Sequence, residues 1–437
     1  MKKKLFVSLL TALIMTSAVT VHASGVRDLL EDSTVLFADE SDVTESDLEM
    51  SAAEAAESDS ESNAEIAESV LSDAEAVEEE GLPAGMCRSY LTGMIVPTEI
   101  GRARPMALMI ENDLEAVKWQ RGTSYADVMY EARVEGGITR IEAIFEDYKK
   151  PQMIMPIRSC RPQFLYYSRE FKAFYGHYGQ VIYAVPILQQ SETYDVAGIP
   201  YGEDGQEYSL LDGSSAYKRD HAGVTGIFTT YEMLHGFFER CGWDTKYPED
   251  YKGHYLFAED NETVNLDDGQ DALVVIPGFV SNHARFDYDE TDGLYYRSEF
   301  GDPQVDHLND QQLAFKNILI QIGPSYDFDG KYLFTDPVNQ GQAGEGWYIT
   351  NGKAERITWQ KENWSADDPV VISVGSANYT FDVRDCDFNV TRYYDMDGNE
   401  IKLNQGKTFV EIVRDEDASK LVISDDPDID TYVIDGM

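Results

Sequence analysis

Along residues 86–437, apolar and polar positions fall into short, regular runs. Pro105 to Glu111 (PMALMIE) is almost continuously apolar and reads as a buried strand. From Asp127 to Val134 the chain alternates, with Val128, Tyr130, Ala132 and Val134 on one face, the signature of a second strand. Gly136-Gly137 interrupts it. Ile138 to Phe145 then resumes, with a pattern open to strand or helix. Met153 to Arg158 reads as a short strand. Pro162 suits the first turn of a helix, and Phe164, Leu165 and Phe171 follow at helical spacing, with Ser168 the polar exception. Ala173 to Tyr178 is extended, and Thr229 to Cys241 is a helix closed by Gly242.

The pattern changes in the second half. Asp271 to Ile276, Phe315 to Ile322 and Thr408 to Val413 read as strands. Asp292-Gly293, Asn351-Gly352 and Asp397-Gly398 each lie between strand-like runs, where such dipeptides favour positive φ and mark hairpins. The expected fold class is α+β: a mixed α/β N-terminal region followed by a mostly antiparallel β C-terminal region. Pro, Gly, Asn and Asp cluster near residues 247–271, which places the boundary between domains of residues 86–255 and 256–437. No internal repeat is visible.

The first 85 residues have another character. Lys2, Lys3 and Lys4 precede an apolar run from Leu5 to Val21, and Val21-His22-Ala23 sets small residues before Ser24. Residues 1–23 therefore read as a secretory signal peptide, with an uncleaved membrane anchor as the other reading. No Cys stands at the cleavage point to accept a lipid. Residues 24–85 form an acidic linker. Its portion from 28 to 85 holds twenty acids and no Lys or Arg, and too little apolar surface to offset the entropy of ordering. The whole chain has 437 residues and a formal charge of −45, and residues 86–437 alone hold sixty acids against 31 bases. A surface that acidic argues against phosphate-backbone binding, so no nucleic-acid partner is expected. After residue 30 no apolar run is long enough to span a bilayer, so membrane contact is expected only through an uncleaved signal segment.

Several strings resemble a known family. RPMALMIEN (104–112), ADVMYEARVEGGITRIEAIF (126–145) and MPIRSCRP (155–162) are similar to the N-terminal part of the YerB-like envelope lipoproteins, a bacterial family of unknown function. FKNILIQ (315–321), GQAGEGWYITNGK (341–353), ITWQK (357–361) and YDMDGNEIKLNQGKTFVEIV (394–413) match its C-terminal part in order. The resemblance covers about residues 88–415. It implies a two-part protein, α/β then β-rich, on the outer face of the cell envelope, and no established activity. This chain departs from the family in lacking the lipid-accepting Cys, in carrying Cys160 where a small residue is usual, and in the stretch RDHAGVTG around His221.

Candidate chemistry concentrates at Arg158-Ser159-Cys160-Arg161-Pro162. A strand ending there and a helix beginning would bring two guanidiniums and a hydroxyl to the positive end of a helix dipole, a combination suited to a carboxylate or phosphate. The alternative is that each arginine braces the fold against an acid such as Glu131 or Glu135. A second group is Tyr130-Glu131, Glu135-Gly136-Gly137 and Arg140, where Glu135 is a candidate general base and Glu131 a partner for an arginine. His177, between aromatics, is a candidate acid–base group or a packing residue. The ligand-binding candidates are thus Arg158, Ser159, Arg161, Glu131 and Arg140, and the catalytic candidates are Glu135 and His177.

Other signals are weaker. Ser215-Ala-Tyr-Lys218 has the S-x-x-K spacing, but its S-D-N and K-T-G partners are missing. The seven His show no metal-ligand spacing, and the acidic runs 287–293 and 395–400 lack the EF-hand pattern, so no metal or cofactor is expected. Cys87, Cys160, Cys241 and Cys386 allow two disulfides in an exported chain, in any of three connectivities. An exposed Cys160 beside Arg158 and Arg161 would have a lowered pKa. Two functions compete. One is a secreted or envelope-associated binding protein that recognises an anionic group of a wall component or partner protein, with Tyr295, Tyr296, Trp347, Trp359 and Trp364 as stacking surface. The other is an envelope enzyme that works through Glu135 or His177 beside an arginine anion site.

Overall fold

The structure is a computed structural model that describes residues 81–201, 209, 211–326, 339–340, 343–365, 367, 371–375, 380–384 and 388–436. Residues 1–80, which hold the expected signal segment and nearly all of the expected acidic linker, and Cys386 lie outside the described residues. Residues 80–437 form one compact unit.

The apolar runs become strands. β1 (Met106–Asn112), β2 (Val128–Arg133) and β3 (Thr139–Phe145) come first, and β3 resolves the ambiguous run as a strand with all seven residues buried. Then come α1 (Pro162–Glu170), β4 (Phe174–His177), β5 (Tyr194–Ala197) and α2 (Tyr231–Cys241). The Thr230 side chain accepts from the Met233 N–H at the start of α2, and Gly242, at φ 65°, ends it. The C-terminal part supplies β6 (Gln270–Asp271), β7 (Val274–Ile276), β8 (Arg285–Asp289), β9 (Leu294–Glu299), β10 (Asn317–Gly323), β11 (Ala343–Thr350), β12 (Lys353–Lys361), β13 (Thr391–Tyr394), β14 (Thr408–Arg414) and β15 (Val422–Ser424). Asp292-Gly293 joins β8 to β9 and Asn351-Gly352 joins β11 to β12, as hairpins. Asp397-Gly398 turns the chain after β13, but only Glu400 pairs back, as a single bridge to Tyr394. The fold is therefore mixed α/β in its N-terminal part and mostly antiparallel β in its C-terminal part.

One expected element differs. Residues 153–158 form separate bridges, Ile154 with Thr229, Met155 with Arg121 and Ile157 with Ile110, instead of a regular strand. Pro156 has no N–H to continue a ladder, and the segment passes from Thr229 and Arg121 to β1, which residues 156–158 follow. It covers the edge of β1 beyond the end of β4: the Arg158 N–H donates to the Met109 carbonyl at 2.9 Å.

An eleven-stranded sheet runs in the order β6-β12-β11-β10-β14-β2-β3-β1-β4-β5, with β13 paired to β12. The compositional change near 247–271 falls between strands that share this sheet. β14 is the strand between the two parts, parallel to β10 on one side and to β2 on the other. One face of the sheet is covered by α2 and by a second sheet built on β9, β8, β7 and β15. The other face carries α1, whose Phe164, Leu165 and Tyr167 pack on Tyr130, Ile144 and Val410.

Buried charges tie the parts together. Glu131 of β2 pairs with Arg297 of β9 and accepts from the amides of Asn112 (3.0 Å) and Asn282 (2.8 Å). Arg297 also meets Glu299 at 3.1 Å. Glu411 stands beside Glu131 in the parallel register, and burial, followed by the Glu131 charge, pushes its carboxyl well up. On the other face Glu170, at the end of α1, holds Lys361 of β12 and His254 (2.9 Å) and accepts from the Thr391 N–H (2.9 Å). Burial works to raise the Glu170 pKa, but Lys361 and His254 overcome it and hold the carboxyl at about 2.

These networks set two outcomes. Replacing Arg297 with Met leaves Glu131 buried without its cation and should cost about 3–5 kcal/mol in urea denaturation, whereas Glu411→Gln, which replaces an already protonated acid, should cost less than about 1 kcal/mol. Glu170 has a lowered folded pKa, so its contribution is complete above its unfolded value and is lost as pH falls from about 4.5 through about 2. That contribution is roughly 3 kcal/mol, and Glu170→Gln should flatten the pH dependence of unfolding in the same window.

Candidate functional site

The start of α1 brings the arginines together. Arg161 is the N-cap residue, extended at φ −128° and ψ 146°, and Pro162 fills the first turn, where a missing N–H costs nothing. The Arg161 Nε donates to both oxygens of Glu135, at 2.6 and 2.7 Å, and one terminal nitrogen donates to the Cys160 carbonyl at 2.9 Å. Glu135 is placed by a tight turn in which Gly136 and Gly137 have φ of 71° and 76°, a region that L side chains avoid. Arg158 pairs with Glu111 of β1. Arg140 of β3 lies 3.6 Å from the other Glu111 oxygen and donates to the Ser159 carbonyl at 3.0 Å. The Ser159 hydroxyl donates to the Tyr178 carbonyl at 3.3 Å.

Exposure divides this cluster into an outer and an inner layer. The Arg158 and Arg161 side chains are each 15% exposed and Glu135 is 23% exposed, whereas Arg140 and Glu111 are buried. The Arg140 Nε has no hydrogen-bond partner among the described residues. Burial, and then repulsion from Arg161, lowers Arg140 to about 9 and Arg158 to about 10. Burial works to raise the Glu135 pKa, but Arg161 and Arg140 leave it below the usual carboxylate value. Three guanidiniums therefore crowd one helix end, and two of them reach the surface.

The remaining candidates lie elsewhere. Glu131 is on the opposite face of the sheet, held by Arg297, and does not meet Arg158, Arg161 or Arg140. His177 is fully buried. Its Nδ1 bonds the Gly179 carbonyl at 2.7 Å, an oxygen that only accepts, so Nδ1 carries a proton. Its Nε2 bonds Asp195 at 2.7 Å, and the Ser209 hydroxyl donates to the same carboxylate at 2.5 Å. His221 lies against Trp119, tilted by 31° with centroids 4.0 Å apart, and bonds Asp220 and Thr225. In the acidic loops, Asp289, Asp292 and Asp395 accept from nearby backbone N–H groups, as turn residues do. Tyr295 and Trp359 are buried in the core, whereas Tyr296, Trp347 and Trp364 are half-exposed. A cavity of about 450 Å³ opens in the C-terminal part, and none of Arg140, Arg158, Arg161, Glu135 or His177 lines it.

Glu111 and Asp195 were not singled out from the sequence. Glu111 had a signal, being the one acid in an otherwise apolar strand, PMALMIE. Such a residue is buried on one side of a sheet and needs a cation. Asp195 carried no comparable mark.

Comparison with known proteins shows that this chain, mixed α/β and then mostly antiparallel β, is a YerB-like protein. Residues 91–242 match the N-terminal domain of a family described as protein of unknown function (DUF3048), and residues 274–373 match its C-terminal domain. The chain belongs to this family. It is 24% identical over 344 residues to the Bacillus subtilis protein named "Putative lipoprotein YerB", a match that spans 76% of this chain and 88% of that one. It also resembles the crystal structure of YerB from Bacillus subtilis, with a TM-score of 0.57 and 22% identity over 77% of this chain and 99% of that chain, a likeness of fold.

Cys160 departs from expectation. It is fully buried, and burial pushes its thiol well up instead of letting the neighbouring arginines lower it. Cys87, Cys160 and Cys241 form no disulfide with one another. Cys160 should resist iodoacetamide at pH 8 in the folded protein and react once the protein is unfolded in guanidinium, as read by peptide mass spectrometry.

Proposed function

We propose that this chain is an exported, envelope-associated binding protein that recognises an anionic group at the surface of the Arg140–Arg158–Arg161 cluster. The observation that carries this reading is the convergence of Arg140, Arg158 and Arg161 at the start of α1, where Arg161 repels the other two, in a molecule whose residues 86–437 hold sixty acids against 31 bases. A carboxylate or phosphate docked against Arg158 and Arg161 relieves that repulsion and gains charge-assisted hydrogen bonds. The α1 dipole acts in the same direction. The envelope part of the proposal is supported by the signal-like first 23 residues and by the word lipoprotein in the name of the Bacillus subtilis relative. We adopt binding over acid–base catalysis because both oxygens of Glu135 and both ring nitrogens of His177 are engaged by the protein's own groups.

The test is calorimetric titration of the exported chain with inorganic phosphate and with muramyl dipeptide, a wall fragment with a free carboxylate. At least one should bind, and Arg161→Ala should weaken it at least about tenfold, or about 1.4 kcal/mol. Absence of binding by both probes, or an affinity unchanged in Arg161→Ala, would remove the site. A melting curve for the variant separates loss of the site from loss of the fold.

A further inference from the structure

The cavity in the C-terminal part lies beside an open strand edge. Its apolar lining comes from Ile322 of β10, Trp347 of β11, and Leu421 and Ile423 in and beside β15. Glu345 and Arg356 pair with each other at its rim, and the Arg356 guanidinium lies 5.1 Å from the Trp347 ring centre. β15 is the last strand of the second sheet and pairs only with β7 among the described residues.

The hydrogen-bond register says which way β15 points. The Tyr288 N–H donates to the Leu273 carbonyl at 2.9 Å, so Leu273 and Val275 face β8. Antiparallel strands alternate the direction of their polar groups, so Val274 and Ile276 face β15, where their partners are Ser424 and Val422. The N–H and C=O of Ile423, which lies between those two, point outward. A backbone donor and acceptor, an apolar trough and an aromatic ring thus line the same edge. A strand laid along it pairs with Ile423 and drops an alternate side chain toward Ile322 and Trp347.

Charge identifies the partner. Glu345 and Arg356 offset each other, and the exposed acids Asp425, Asp426 and Asp428 follow β15 directly, with no Lys or Arg in residues 421–430. An acidic strand meets repulsion there and a neutral one gains no attraction, whereas a strand that alternates apolar residues with Lys or Arg meets complementary charge. We propose that the outer edge of β15 and the adjoining trough form a docking site for an extended, cationic and apolar polypeptide segment of a partner protein, taken up by strand addition. This site is separate from the arginine cluster of the proposed function and stands independently of it.

The probe is a fluorescein-labelled octapeptide of alternating Lys and Val, compared with its Glu–Val counterpart by anisotropy in 150 mM salt against the exported chain. The Lys–Val peptide should bind at least about tenfold tighter than the Glu–Val peptide. Ile423→Pro deletes the outward donor without removing a bond to β7, as an edge strand tolerates. That variant and Trp347→Ala should each weaken binding at least about tenfold. Backbone exchange over residues 421–424 of the unaltered protein should slow when the Lys–Val peptide is present, a readout that does not depend on any variant folding. Arg161→Ala should leave this affinity unchanged. Failure of the Lys–Val peptide to bind, equal binding of the two peptides, or unchanged exchange over residues 421–424 would overturn the proposal.

Discussion

The parallel pairing of β14 with β2 is the constraint on which the rest of the structure depends. It joins a strand from near the C-terminus to one from the N-terminal region and makes two compositionally different halves share a sheet. It also sets Glu411 beside Glu131 at a position buried under the second sheet. Like carboxylates cannot both ionise there, so Arg297 compensates one and protonation neutralises the other. The second sheet is thereby fixed over one face of the first, because its Arg297 is the counter-ion the seam requires.

The opposite face has its own tie. Glu170 at the end of α1 holds Lys361 and the Thr391 N–H, so a helix of the N-terminal part is fastened to β12 and β13 of the C-terminal part. With its far end anchored, the start of α1 is held over β3 and the tight turn at Gly136-Gly137. The arginine cluster is a consequence of that placement. Arg161, Arg140 and Arg158 converge because helix, strand and edge segment meet there, and Glu111 and Glu135 offset part of the charge. The strand edge at β15 arises from a different cause: the second sheet ends there, and the chain leaves it to pack its C-terminal residues, with Ile434 against Val274 and Ile276.

Pattern reading succeeded where local physics is sufficient. The alternation of Val128, Tyr130, Ala132 and Val134 defined a strand, Asn351-Gly352 and Asp292-Gly293 defined hairpins, and Gly242 closed α2. It failed at residues 153–158, where apolar composition suggests a strand but the segment divides its bridges among Thr229, Arg121 and β1. The ion pairs divided along the same line. Arg161 with Glu135 was among the pairings weighed from the sequence, because both flank short, readable turns. Glu131 with Arg297 is separated by 166 positions and crosses between sheets, so no local pattern contains it.

The sequence by itself determined the class of fold, the turns, the acidic character and the presence of arginines at the start of a helix. Each of these follows from side-chain period, backbone preference or charge within a few residues. Only the tertiary structure decided which face each charge occupies, and it set Glu131 and Arg158 on opposite sides of one sheet. It alone buried Cys160 and His177 and left one strand edge open beside an apolar trough. Those outcomes depend on which distant strands pair, and pairing is set by the burial of whole faces, which no short stretch of chain encodes.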